Sequence, residues 1–145
     1  MKEIGKVIKL FLHDKFAKQT IEVNSLICDK YGIKNDKFYK KDKNRSILLS
    51  SLDSYNIAKS NNIDINYGIL GENILFNFNP HKLEIGTILY IGNHTEIEIS
   101  KECTICNHLS SIDSDLPKLL KNDRGIFCFS LNNSVIHLND KVYIK

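Results

Sequence analysis

The chain is punctuated too often to hold a long helix. From Ile4 to Ile144 it runs in short apolar or alternating segments, each closed within a few residues by glycine, asparagine, aspartate or proline. Short strands at regular spacing predict a mainly β (α+β) fold, a barrel or sandwich carrying a few short helices. Strands do not alternate with long helices, which argues against a doubly wound parallel sheet. The length of 145 residues suits one domain over 1–145, with no linker visible.

Ile4 to Leu12 carries apolar residues on both faces and reads as a well-buried strand. Thr20 to Cys28, rich in β-branched residues, reads as a second. Arg45 to Ser50 reads as a short buried strand, with Ser50 or Ser51 capping a helix through Leu52, Tyr55, Ala58 and Lys59 that stops at Asn61 and Asn62. Gly68 to Asn73 is a loop, Ile74 to Phe78 a strand ended by Pro80. Leu83–Ile91 and Ile136–Ile144 share one pattern: an apolar lead, a two-residue turn and a strand. Thr95–Ser100 pairs with Ile88–Ile91 across Gly92 and Asn93. Ser114 caps a short helix over Leu116–Lys121, with Pro117 in its first turn. Gly125–Leu131 and Ser134–His137 read as a hairpin around Asn132 and Asn133.

The chemistry concentrates in Ile97–Leu109. Two of the four cysteines, Cys103 and Cys106, lie three residues apart there, and His108 follows two residues on. A thiolate serves as nucleophile, metal ligand or sulfur carrier; a buried structural thiol is the commoner fate of free cysteine. The spacing is half a zinc site with no second pair, so Cys128 and His108 complete one only if the fold brings them together. On an extended strand the two thiols face opposite ways; in a turn they converge as a redox pair.

Net charge is only +3, and the nearest basic cluster, Lys34 to Arg45, is interrupted by acids and asparagines. A nucleic-acid footprint is a denser patch, so no nucleic-acid partner is expected; that segment reads as a solvated loop or an anion-binding loop. No apolar run is long enough to span a membrane, and no signal-peptide core follows Met1–Lys6. The expectation is a cytoplasmic protein whose cysteines stay reduced.

Taken together, three loops and the cysteine strand resemble the MOSC domain, the C-terminal module of molybdenum-cofactor sulfurases that also occurs as small stand-alone bacterial proteins. Gly32–Phe38 stands where that family has Gly-x-x-Gly-Asp-Arg-His, and Arg45–Leu49 where a strand opens with arginine. Gly68–Asn73 matches Gly-x-Leu-Gly-Glu-Asn in full, Cys106 falls at the family's cysteine, and Asp123–Phe127 resembles the Arg-Gly turn before the last hairpin. The chain departs from the pattern at Asn35, Lys37 and Phe38, which replace glycine, arginine and histidine. It departs again at Thr104 and Ile105, in place of the usual residues before the cysteine, and at Cys103, near the position of an arginine.

The resemblance implies a MOSC-like β-barrel that binds molybdenum cofactor, a pterin phosphate holding its metal through a dithiolene. It implies Cys106 as sulfur carrier or molybdenum ligand; Cys103, read from its spacing, is a resolving thiol, a second metal ligand or an incidental thiol. It places Asp36, Lys37, Arg45, Gly71, Glu72, Asn73 and Arg124 around the cofactor. Lys37, Arg45 and Arg124 suit the phosphate, and Asn73 a pterin edge. The glycine loop lets backbone approach a ligand, Glu72 is an alternative partner for Arg45, and Asp36 is another. The relatives include reductases of amidoximes and hydroxylaminopurines. No transferase segment with a pyridoxal-phosphate lysine is visible, so sulfur or electrons come from a partner protein. Two other readings stay open: a non-catalytic module holding cofactor or an anion, and a thiol-redox or zinc protein built on Cys103 and Cys106.

Overall fold

In the computed structural model, which describes residues 1–104 and 107–145, the chain runs in this order. The strands are β1 (Lys2–Asp14), β2 (Gln19–Val23), β3 (Ser25–Asp29), β4 (Gly32–Ile33), β5 (Ile47–Ser51), β6 (Ile74–Phe76), β7 (Ile88–Ile91), β8 (Thr95–Glu102), β9 (Ile126–Ser130), β10 (Ser134–His137) and β11 (Lys141–Ile144). Helix α1 (Leu52–Ser60) follows β5; α2 (Asn107–Ile112) and α3 (Leu116–Leu119) lie between β8 and β9. No described helix is long and apolar enough to cross a membrane.

Seven strands close a barrel in the order β1-β11-β7-β8-β9-β5-β6 and back to β1. Closure removes the free edges that an open sheet exposes. Long β1 makes it possible. Its first third pairs with β11, its middle with β6 and its last third with β2, with register breaks at Glu3/Gly5 and Val7/Lys9 that bend it. Among the described strands only β5 and β6 pair in parallel, because α1 supplies the crossover between them. Ser51 Oγ caps α1 by accepting the Asp53 N–H at 3.2 Å.

Alternation fills the interior. In β8, Thr95, Ile97 and Ile99 point in and are buried, while Glu96, Glu98 and Ser100 are half-exposed. Ile97 and Ile99 meet Val7, Leu10, Ile47, Leu49, Ile74, Phe76 and Leu89 in one core. A second core, Tyr55, Ala58, Leu70, Leu75, Leu109, Leu116 and Leu120, lies where the helices pack.

Five local expectations change, the first being that Asp115, with no side-chain cap bond, and not Ser114 precedes α3. The strand read over Thr20–Cys28 breaks at Asn24: β2 stays with β1, whereas β3 leaves to join β10 and β4 in a small second sheet. The Asn24 carbonyl accepts the Leu138 N–H there. The hairpin read around Asn132 does not form. Asn132 instead donates from Nδ2 to the His94 carbonyl at 2.6 Å and accepts the Glu96 N–H on Oδ1, so β9 stays with β8 and β10 goes to β3. Arg45 does not open β5. It sits in a 3-10 turn over Lys43–Arg45, capped by the Asp42 carboxylate on the Asn44 N–H. A third helix, α2, follows the cysteine stretch. The two look-alike segments pair with each other through β7 and β11, Ile91 opposite Val142 and Tyr90 opposite Tyr143.

Cys28 and Cys128 are sealed in the barrel core, 1% and 0% exposed. Burial, with Asp29 adding to it, pushes the Cys28 thiol up to about 12. Burial, with Cys28 beside it, pushes Cys128 well above the usual thiol range. Both stay neutral thiols in the folded chain and ionise near pH 8.5 once it unfolds. Their contribution to stability is therefore complete below about pH 8.5 and drains away as pH rises toward 12, by up to about 1.4 kcal/mol per pH unit per thiol. Urea midpoints are expected to fall steeply between pH 9 and 11, and less steeply in Cys28→Ala. Parallel profiles for the two proteins would contradict this.

Candidate functional site

The end of β1, the start of β2 and the loops around Lys37 and Gly68 meet the ends of β8 and β9 around a cleft of about 880 Å³. That is within the ~300–1,000 Å³ range of ligand pockets. Of the residues implicated by the sequence, Lys37, Arg45, Gly71, Asn73, Cys103 and Arg124 all line it, as does His108. They come from positions 37 to 124, so only folding collects them.

Two glycines shape the loop that forms one wall. Gly68 and Gly71 have φ of +94° and +91°, a region in which a side chain is strained. A Cβ on Gly68 would stand 2.8 Å from the Phe11 ring, so the loop lies directly on that ring. Opposite, Asn35 takes φ +71°. Asparagine tolerates this conformation, which is how the first loop turns without the glycine of the resembled motif.

Asn73 and Asp36 hold these loops from beneath. Asn73 Oδ1 accepts the Leu48 N–H at 3.0 Å, and its Nδ2 donates to the Phe11 carbonyl and to Asp36 Oδ1, both at 3.1 Å. Its backbone bonds Leu48 and Phe11 as well. Asn73 thus bridges β5 and β1 like a strand residue, and its amide is engaged inward. Asp36, 1% exposed, accepts the His13 N–H on Oδ1 at 2.9 Å and the Phe38 N–H on Oδ2 at 3.1 Å.

Glu72 is fully buried and faces away from the cleft. Its Oε2 accepts from Ser50 Oγ at 2.7 Å and from the Tyr55 hydroxyl at 2.5 Å. Burial first, then the Glu72 charge, holds the Tyr55 phenol far above its usual range, so it stays a donor. Tyr55 in turn accepts the Gly68 N–H at 2.9 Å. Glu72 therefore fixes the glycine loop rather than pairing with Arg45, whose Nε is 3.9 Å from Asp42 and whose side chain is 45% exposed.

The cations stand at different depths. Lys37 lies over the Phe38 ring, 5.0 Å from its centroid. Arg124, 6% exposed, donates from one terminal nitrogen to the Leu70 carbonyl at 2.7 Å. Cys103 is a free thiol, 5% exposed, packed with Leu48 and Phe127. His108 Nε2 donates to the Ile69 carbonyl at 2.6 Å, which assigns the proton to Nε2 and ties α2 to the glycine loop. Cys106 lies outside the described residues. Among those that are described, no three His, Cys, Asp or Glu side chains are grouped to hold a metal ion, and Cys128 is in the barrel core rather than beside Cys103.

Sequence reasoning missed His13, Phe11, Leu48 and Tyr67, which also line the cleft. Phe11 and His13 stand two apart in β1 and share a face.

The architecture is a MOSC-like β-barrel of short strands with a few short helices. No protein-family profile and no curated protein sequence matches the chain; the likeness is to solved structures. YuaD protein from Bacillus subtilis superposes with a TM-score of 0.83 at 18% identity, covering 95% of this chain and 93% of that one. YiiM from Escherichia coli gives 0.69 at 15% identity, covering 97% and 69%. YiiM from Geobacillus stearothermophilus gives 0.67 at 14%, covering 99% and 74%.

Proposed function

We propose that this protein binds molybdenum cofactor in the cleft, with Cys106 as sulfur carrier or molybdenum ligand. The observation that carries the reading is a convergence. Cys103 and His108, on either side of Cys106 in the chain, line the same cleft as Lys37, Arg45, Gly71 and Arg124. The donor set suits such a group. Phe11, Phe38, Tyr67 and Phe127 offer flat walls for a pterin, cations suit its phosphate, and a thiolate suits a soft metal.

When bound, the cofactor supplies a metal that exchanges electrons and oxygen or sulfur. The chain's own residues supply the rest. Lys37 and Arg45 offer charge near the mouth, and Arg124 offers it deeper. The Gly68–Asn73 backbone, held by Glu72 and Asn73, gives a wall that does not yield. The reaction this serves is cofactor sulfuration or reduction of N-hydroxylated compounds, with a cytoplasmic partner protein providing sulfur or electrons. A carrier module would use the same cleft without turnover. A zinc protein finds less support, since Cys128 lies in the core.

The test is molybdenum and pterin analysis of protein purified without oxygen, wild type beside Cys106→Ser. Both groups are expected in the wild type, with molybdenum lost from the variant. Equal molybdenum in the two, or zinc in its place, would retire the proposal.

A further inference from the structure

His13 follows Phe11 on one face of β1, is 7% exposed and lines the cleft. Its ring is fixed from behind. Nδ1 is 3.3 Å from Asp36 Oδ1 and 3.4 Å from Asn73 Nδ2. Both hydrogens of that amide are already donated, to the Phe11 carbonyl and to Asp36. Nδ1 thus lies between an amide that only donates and a carboxylate that only accepts, and the two hold the ring in place whichever ring nitrogen carries the proton. The edge-to-face contact with Phe38, 5.8 Å between centroids, clamps the ring. Nε2 makes no hydrogen bond to any described residue, and it is not one of the sealed unpaired atoms, which are Glu72 Oε1 and Ser134 Oγ. It opens on the cleft.

Its surroundings suit an anion. Lys37 is bound to His13 through its N–H on the His13 carbonyl at 2.8 Å. Thr20 stands opposite His13 across the β1–β2 register and lines the cleft too, as does Lys41. The two acids on this wall are engaged, Glu22 by Lys9 at 3.2 Å and Asp42 by the Asn44 N–H and Arg45. Among the described residues Lys37 and Lys41 have no carboxylate partner. A histidine backed by a buried carboxylate, beside two such lysines and a hydroxyl, meets a phosphate with several donors at once.

We infer that His13 is a phosphate-binding residue: its Nε2 engages a phosphate oxygen of the ligand beside Lys37, while Asp36 holds the ring. Where Nε2 carries the ring hydrogen it donates it to the phosphate oxygen with no proton transferred; where it does not, one proton moves from a P–OH group to Nε2, and the resulting imidazolium lies between Asp36 and the phosphate. This rests on reading the cleft as the cofactor site, and it names the residues for the phosphate end.

The experiment is 15N-edited NMR of the histidine rings in the full chain, titrated with inorganic pyrophosphate. Pyrophosphate is expected to shift the His13 Nε2 resonance. His13→Asn and His13→Gln are expected to weaken pyrophosphate at least about ten-fold, with His94→Ala, exposed and outside the cleft, unchanged. Amide spectra check that each variant folds; if neither does, the wild-type ring shift decides. Binding that leaves the His13 ring unmoved, unweakened binding in a folded variant, or no binding at all overturns the inference. Pterin analysis of the same preparations separates the two ideas. Pterin retained while pyrophosphate ignores His13 sinks only this inference. Pyrophosphate held by His13 with no pterin in any preparation sinks the cofactor reading and leaves the phosphate site.

Discussion

Asn73→Ala is expected to lower the unfolding free energy by about 3–5 kcal/mol, because it strands three buried polar groups at ~1–3 kcal/mol each. The Leu48 N–H loses its acceptor, the Phe11 carbonyl loses a donor, and Asp36 loses one of the N–H groups that hold its charge. Asn73 is 1% exposed, so water does not replace them. Urea unfolding with an unchanged m-value measures the loss, and a change below about 1 kcal/mol would show that the bridge matters little. The effect extends to the cleft. Asp36 then holds His13 with one fewer constraint, and pyrophosphate affinity should drop even under conditions where the variant is fully folded.

Glu72→Ala is the second large effect, expected at about 2–4 kcal/mol. It deprives Ser50 and Tyr55 of their buried acceptor and empties space beneath the glycine loop. Tyr55→Phe alone is expected at about 1–3 kcal/mol, because the Gly68 N–H also loses its acceptor. The double variant should cost clearly less than the sum, since the Tyr55–Glu72 bond is counted in each single change. Strict additivity would mean that the two residues act separately. Glu72 lies outside the cleft lining, so the readout specific to its proposed role is loop order: amide exchange at Gly68–Gly71 should accelerate in Glu72→Ala more than exchange in β7 or β8.

Much of the frame was legible because it depends on local rules. Period-two burial in β8, the Ser51 cap of α1, the stop at Asn61 and the look-alike pair that became β7 and β11 all follow from residues close in sequence. Errors fell where a side chain chose a distant partner over a near one. Asn132 pins to the β7–β8 turn instead of closing a hairpin, and Asn24 hands the chain from one sheet to the other. No propensity scale carries that choice, because the competing bonds are equal in kind and differ only in what lies nearby.

The site divides along the same line. The sequence alone determined that the chain would be mainly β and that Gly68–Asn73 would be a glycine loop; residue type and spacing suffice for these. Only the tertiary structure decided that Asp36 and Glu72 are enclosed as supports and that Asn73, although it lines the cleft, commits its side-chain amide to Leu48, Phe11 and Asp36, while Lys37, Arg45 and Arg124 line the cleft. It alone decided that His13, more than twenty residues from the first loop's Asp36, would be oriented by that carboxylate. The reason is physical: a polar side chain becomes a support or a ligand according to how many partners enclose it, and barrel closure, which brings residues 13, 36 and 73 together, sets that number.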